Sequence, residues 1–301
     1  MISTELLKFF RVKPDTRVRL KDYDPGWEQT EELARLGKQA TKQRAEELLE
    51  ASIADLTKSQ ELLYADNRHA VLVILQGMDA SGKDGTIKKV MSGLNPQGCQ
   101  VFSFKAPSAE ELDHTFLWRY FRSLPERGRV GIFNRSYYED VLIVRVHPEL
   151  LSPHLPDGKR GKSFWKARME DINAMEEHLV RNGTLVLKFF LYISKDEQKR
   201  RFLERLREPR KHWKFNPADI HERDYWDDYM DAYERALSET STGHAPWFVI
   251  PANHKWVAHA VIASILSTSI QELDLQYPEV TPETKRELED ARRKLESEGP
   301  E

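Results

Sequence analysis

Gly77-Met78-Asp79-Ala80-Ser81-Gly82-Lys83 is the segment whose residue types and spacing most directly specify chemistry. It fits G-x-x-x-x-G-K, the core of a Walker A phosphate-binding loop. In such a loop the backbone curls so that successive N–H groups point at one anion. The start of the next helix adds positive potential, and the lysine adds a full charge. The expected phosphate contacts are Asp79, Ala80, Ser81, Gly82, Lys83, Asp84, Gly85 and Thr86. The bland alternative is an ordinary glycine turn.

Position 84 is Asp, where standard loops carry the Ser or Thr hydroxyl that holds Mg²⁺. Another hard oxygen ligand is then needed, and Asp79 inside the loop is the candidate. Its alternative is a helix N-terminal carboxylate with no metal. Arg135 follows an apolar run, at a predicted strand end where open α/β sheets bind ligands. Its guanidinium can neutralise charge on a transferred phosphoryl group, or simply pair with Glu139. Arg200, Arg201, Arg205, Arg207, Arg210 and Lys211 form a dense basic stretch, with Arg201 and Arg205 on one helical face. One reading is a mobile lid that closes over a polyanion and excludes water. The other is a solvated helix paired through Glu197, Glu204 and Glu208. Lys88 and Lys89 either extend a basic track or are surface lysines, and Phe104-Lys105 is assigned to the acceptor side. Phosphoryl transfer needs positioning and charge neutralisation rather than a histidine. His114, His147, His212 and His254 are therefore read as packing or surface groups, and Phe116–Phe121 as core.

These groups need a scaffold. Ala70–Leu75 is a continuous apolar run rich in branched residues, the pattern of a parallel strand buried on both faces. Similar runs recur at Val101–Phe104, Val130–Phe133, Leu185–Ile193 and Trp247–Ile250, separated by stretches long enough for helices. The alternation predicts a doubly wound, parallel five-stranded sheet with helices on both faces and a helical lid at about 195–220. Thr86–Met91 can start the helix after the loop. From Trp27 to Leu63, Leu33, Leu36, Ala40, Leu48, Leu49, Ile53, Leu56 and Leu63 recur at helical spacing. The expected division is an extension over 1–66 with that amphipathic helix, a main domain over 67–275, and a charged tail over 276–301 that frays from Thr281. The helix would pack on the main domain or against a second subunit.

Composition sets outer bounds. The chain has 301 residues, 40% of them hydrophobic, and a formal net charge of -3. That balance argues against a nucleic-acid or anionic-membrane partner. Cys99 is the one cysteine, which excludes an intrachain disulfide and a multi-cysteine zinc site. With no signal-like apolar stretch or membrane-length run, a cytoplasmic protein is expected.

Read through to Gly85, the loop is G-M-D-A-S-G-K-D-G, which resembles the G-x-D-x-x-G-K-x-G loop of the second family of polyphosphate kinases. Phe116-Leu-Trp-Arg119 is similar to that family's F-L-W-R segment, and Phe133-Asn-Arg-Ser-Tyr-Tyr138 to its Walker B region, F-D-R-S-W-Y. Lys199–Arg205 with Trp213-Lys214 resembles its lid, and Ala245–Ile250 its final strand. The resemblance runs from about Trp27 to Leu273. It implies a P-loop kinase fold, Mg²⁺-dependent phosphoryl transfer between inorganic polyphosphate and nucleotides, and assembly from identical subunits.

Two departures stand out. Asn134 replaces the usual acid, and Glu139-Asp140 replaces the usual N-R. An amide binds Mg²⁺ more weakly than a carboxylate, so Glu139, Asp140 or Glu126 is expected to compensate. The variant pattern resembles the branch that accepts AMP and ADP, giving ADP and then ATP. The catalytic set implied is Asp79, Lys83, Arg135, Glu139, Arg201 and Arg205. Asp79, Glu139 and Asp140 are the metal candidates, and Lys88, Lys105, Glu126, Asn134 and Arg207 line the channel. The rivals are an ATP-dependent nucleotide or small-molecule kinase and a non-catalytic polyphosphate- or nucleotide-binding module.

Overall fold

The computed structural model describes residues 4–28, 35, 37–156, 158 and 160–298. Five strands form one all-parallel sheet: β1 (Ala70–Gln76), β2 (Cys99–Ser103), β3 (Val130–Asn134), β4 (Thr184–Tyr192) and β5 (Trp247–Pro251). Their spatial order is β2-β3-β1-β4-β5. All five predicted runs are therefore strands, with ends moved by one or two residues. The central strand β1 is buried along its whole length, which is why its sequence is continuously apolar rather than alternating.

The chain moves one way across the sheet from β1 to β2, and the opposite way from β3 to β4 and β5. With right-handed crossovers, that reversal puts helices on both faces. α1 (Lys38–Asp66), α2 (Lys83–Val90) and α6 (Lys255–Gln271) form one layer. α3 (Lys162–Arg181) and α5 (Trp226–Thr240) form the other. α4 (Lys195–Arg207) leads from β4 towards the carboxyl ends of the strands. The reversal also makes a topological switch point beside β1, where open α/β sheets bind their ligands.

α1 buries Leu49, Leu56 and Leu63, seven residues apart, and packs along α6, with Ser52 Oγ 3.0 Å from Ser264 Oγ. α1 opens at Lys38 after Gly37, whose φ is 81°, and Trp27, at the predicted start, is not helical and packs edge-on against Phe10. The predicted positions Leu33 and Leu36 lie outside the described residues.

The C-terminal segment also differs from expectation, since Pro282–Ser297 is a helix, α7. Thr281 caps it by accepting from the Thr284 N–H, Pro282 sits in the first turn, and Arg292 pairs with Glu296 one turn on. None of its residues is buried, so local capping and pairing rather than packing define it.

Candidate active site

Two loops meet at the carboxyl end of the sheet. The first, after β1, carries Gly77–Gly82 into α2. A Cβ at Gly77 would lie 2.7 Å from the Leu191 carbonyl oxygen and 2.8 Å from Ser81 Oγ, so only glycine fits there. Ala80 and Gly82 both have positive φ, 63° and 108°, which curls the chain into a concave turn of main-chain amides. α2 begins at Lys83, so the first-turn N–H groups of Lys83, Asp84 and Gly85 have no intrahelical acceptors and face an incoming anion. Two expected contacts are already engaged: the Ser81 N–H donates to Met78 O, and the Thr86 N–H donates to Gly82 O. Thr86 therefore closes the first helical turn instead of presenting its amide to phosphate. Ser81 Oγ is buried without a partner, an orphaned polar atom inside the cradle.

Lys83 is buried, and Nζ donates to Gly77 O at 2.6 Å and Met78 O at 3.3 Å. Burial, then the charge of Arg135, pushes its pKa down to about 8. Such a lysine gains from any phosphate that enters.

The second loop follows β3. Arg135 has φ of 65°, and its N–H continues the ladder by donating to Leu75 O. Its guanidinium donates to Asp79 Oδ1 at 2.8 Å and to Glu139 Oε2 at 3.3 Å. Glu139 is held in turn by Gln76 Nε2 at 3.1 Å. Glu139, above all, keeps Arg135 charged against burial. The Walker B position, Asn134, donates its amide to Asp84 Oδ1 at 2.8 Å. The two residues that depart from standard P-loop usage thus lie against each other: an acid on the helix, an amide on the strand.

The other metal candidates separate. Asp140 accepts from Arg168 Nη1 at 2.9 Å, and burial raises its pKa to about 6 against the pull of that arginine. Glu126 cannot compensate for Asn134. It precedes β3, at the opposite end of the strand, and pairs with Arg129 at 3.1 Å. Among the described residues no three His, Cys, Asp or Glu side chains converge into a metal cage. Mg²⁺ commonly takes one or two carboxylates and draws its remaining ligands from phosphates and water. Asp79, in the loop and beside Glu139's partner arginine, fits that requirement.

The basic stretch splits into distinct roles. Arg201 is buried and faces inward. Nη1 donates to Ala80 O and Ser81 O at 2.8 Å, Nη2 to the carbonyls of Ala252 and Asn253, and Nε to Glu197 at 2.6 Å. It buckles the phosphate loop to α4 and the end of β5, contrary to the expectation of an arginine free to reach phosphate. Gln198 Nε2 adds a bond to Asp79 O at 3.0 Å. Arg200 pairs with Glu197 and Glu204, and Lys211 with Glu204 and Glu208, as in the solvated-helix reading. Arg205 lies over Phe202, half-buried. Arg207, Lys88 and Lys105 are exposed.

A cavity of about 1250 Å³ opens beside Arg135 and Glu139, lined by Lys105, Arg119, Asp140 and Arg168 and by the rings of Phe116 and Phe164. Arg168 Cζ lies 4.3 Å from the centre of the Phe116 ring. Phe116–Phe121 is thus only partly core: Tyr120 is buried and Phe121 exposed, and Phe116, Leu117, Arg119, Tyr120 and Phe121 all line the cavity. The histidines keep to side roles: His114 stacks on Trp118, His147 contacts Glu222, His212 contacts Leu206 O, and His254 pairs with Glu28.

Two groups escaped the sequence reading. Asp219 has its pKa raised by burial and then by the charge of Asp79. Tyr233, stacked on Phe190, is buried and feels Glu139, Arg135 and Asp79. Neither sits in a motif; the turn signal Asn216-Pro217 just before Asp219 was the nearest cue.

The family model for polyphosphate kinase 2 matches residues 39–278. An ADP-polyphosphate phosphotransferase from Rhodopseudomonas palustris is 56% identical over 257 residues, 85% of this chain and 89% of that protein. An AMP/ADP-polyphosphate phosphotransferase from Meiothermus ruber is 46% identical over 281 residues, 93% of this chain and 98% of that protein. The crystal structure of polyphosphate kinase 2 from Arthrobacter aurescens superposes with a TM-score of 0.82 at 39% identity, covering 94% of this chain and 96% of that one. With the family model spanning well over half of its length, the chain belongs to the polyphosphate kinase 2 family.

Proposed function

We propose that this chain transfers phosphoryl groups between inorganic polyphosphate and adenine nucleotides, AMP to ADP and ADP to ATP, with Mg²⁺. One observation carries the reading: Arg135, which clamps Asp79 of the phosphate loop, also lines an aromatic cavity large enough for a nucleotide. Polyphosphate lies in the cradle of Ala80–Gly85, with Lys83 on its charged oxygens. The nucleotide enters the cavity, its base against the Phe116 and Phe164 side and its phosphate towards Arg135. A terminal phosphate oxygen of AMP or ADP attacks the end phosphorus of polyphosphate in line. The shortened chain leaves with the bridging oxygen. Lys83 and Arg135 spread the charge on the transferred group, which is most of what such a transfer needs. Mg²⁺ would be held by Asp79, with Glu139 a second carboxylate on the same arginine, and would supply charge neutralisation on the phosphates. The segment beyond Arg201, from the last turn of α4 to about residue 220 and with Arg205 and Arg207, closes over the polyanion while Arg201 stays fixed. The proposal includes assembly from identical subunits in the cytoplasm. No helix among the described residues is long and apolar enough to cross a membrane.

The test is incubation of purified protein with Mg²⁺, AMP and polyphosphate, without ATP. ADP followed by ATP is expected. If neither forms, while ATP supports phosphorylation of an acceptor, the chain is an ATP-dependent kinase instead.

A further inference from the structure

Lys188 and Glu176 form an ion pair with no solvent exposure on either side chain, at 2.6 Å. Lys188 Nζ also donates to Tyr138 Oη at 2.9 Å and to Thr240 O at 2.7 Å, so each of its three N–H bonds has an acceptor. Glu176 Oε1 accepts from Tyr137 Oη at 2.8 Å and Tyr138 Oη at 2.9 Å. The pair thus joins α3 and β4 to two consecutive tyrosines of the loop after β3. Stability alone gives little reason for it, because well-packed apolar side chains in place of a buried ion pair are often neutral or better.

What the network does hold is the backbone next to Arg135. That residue has φ of 65°, a conformation that a non-glycine residue keeps only when its surroundings over-determine it. On one side it is fixed by its N–H bond to Leu75 O. On the other come Ser136, Tyr137 and Tyr138, all with no exposure. Ser136 Oγ accepts from the Tyr138 N–H at 3.2 Å, and the Glu139 N–H donates to Ser136 O at 2.9 Å. Arg135 is therefore suspended between the sheet ladder and two pinned tyrosine hydroxyls, and Glu139 follows directly.

The geometry points to Tyr137, Tyr138, Glu176 and Lys188 as positioning residues that set Arg135 between Asp79 and Glu139 for phosphoryl transfer. This rests on the transfer activity proposed above, and none of the four touches a reactant. Their effect should fall on kcat, because Arg135 acts on the transferred group, with little change in the binding of either substrate.

The test compares Tyr138→Phe with the unaltered protein in the polyphosphate-to-ADP assay. Tyr138→Phe keeps the ring and the charge pair, and removes only the hydroxyl that links them. Expected is a kcat lower by about 10- to 100-fold, the scale of a small misplacement at a reacting centre, with both KM values changed by less than about twofold. In an Arg135→Ala background the same change should have no further effect on kcat. An undiminished kcat in folded Tyr138→Phe overturns the inference, and so does full additivity with Arg135→Ala. If Tyr138→Phe does not fold, Lys188→Met combined with Glu176→Leu, which removes both charges together, decides by the same criteria. Inactivity of the unaltered protein with polyphosphate would count against the proposed activity rather than against the network.

Discussion

Arg135 Nη2 lies 2.8 Å from Asp79 Oδ1. The cation suited to stabilise a transferred phosphoryl group is thus held by the carboxylate suited to hold Mg²⁺, with Glu139 as its second anchor. When Mg²⁺ and phosphate arrive, each member of the pair can exchange its partner for a reactant of the same charge sign. On the proposed reading Asp79 would turn to the metal and Arg135 to phosphate oxygen, with Glu139 still holding the guanidinium. Asp79, Arg135 and Glu139 thus meet one another's charges before substrates bind, whereas the buried Lys83 ammonium rests on the carbonyls of Gly77 and Met78.

Arg135→Ala removes the group that meets developing charge. A loss in kcat of about 10³-fold or more is expected, on the scale set by arginine fingers. The KM values for polyphosphate and nucleotide should move far less. Arg135→Lys should recover little, since a lysine cannot bridge Asp79 and Glu139 with a planar fork. Steady-state kinetics at saturating Mg²⁺ checks this, and a kcat close to that of the unaltered protein in Arg135→Ala would remove Arg135 from the mechanism.

Asp79→Asn keeps the shape of the loop residue and deletes its charge. Mg²⁺-dependent turnover should disappear at millimolar metal. Because no preformed three-carboxylate cage exists among the described residues, no other group takes over. Rates measured across a Mg²⁺ titration decide the matter; an unchanged midpoint would assign the metal to other ligands.

Arg201 and Arg205 lie one turn apart on α4 and should behave oppositely. Arg201→Ala leaves the carbonyls of Ala80, Ser81 and Ala252 without a donor and Glu197 without its buried partner. A stability loss of about 3 kcal/mol is expected, on the scale of breaking a buried charged contact, together with weaker polyphosphate binding. Arg205→Ala should leave Tm almost unchanged and lower kcat, because that side chain is half-buried over Phe202 and reaches towards the site. Thermal melts paired with kinetics of both variants separate the loop buckle from the lid cation.

Such contrasts explain what could and could not be read in the sequence. The five strands were legible because a parallel strand covered on both faces is a continuous apolar run, as in β1. The cradle was legible because its backbone geometry demands glycine at fixed positions, Gly77 and Gly82. Arg201 was misread because spacing along α4 gives a shared face with Arg205 without saying which residue turns inward. Glu126 was misplaced because closeness in sequence to Arg135 hid the length of β3 between them. Asp219 and Tyr233 come to the site from elements more than a hundred residues beyond the loop, and no local pattern announces such a meeting. The helix Pro282–Ser297 has the composition of a solvated tail, and only its Thr281-Pro282 cap distinguished it.

The pH dependence of polyphosphate capture follows from Lys83. In the free protein, burial and Arg135 push its pKa down to about 8, from 10.5 for an ordinary lysine. Below that pH the ammonium is present to meet the anion; above it the amine is neutral, and the cradle loses its full charge. kcat/KM reports the free protein, so for polyphosphate it should be flat below pH 8 and fall towards a tenfold loss per unit above it. Once polyphosphate is bound, its negative oxygens favour the charged lysine and raise the pKa again. The break in kcat should therefore appear at higher pH than the break in kcat/KM. A guanidinium does not titrate in this range, so Lys83→Arg should lose the break near pH 8 whatever its absolute rate. Initial rates from pH 6.5 to 9.5, at constant ionic strength and free Mg²⁺, provide the measurement. A kcat/KM profile for polyphosphate that stays level through pH 9 would mean that Lys83 is not the group that meets the incoming chain.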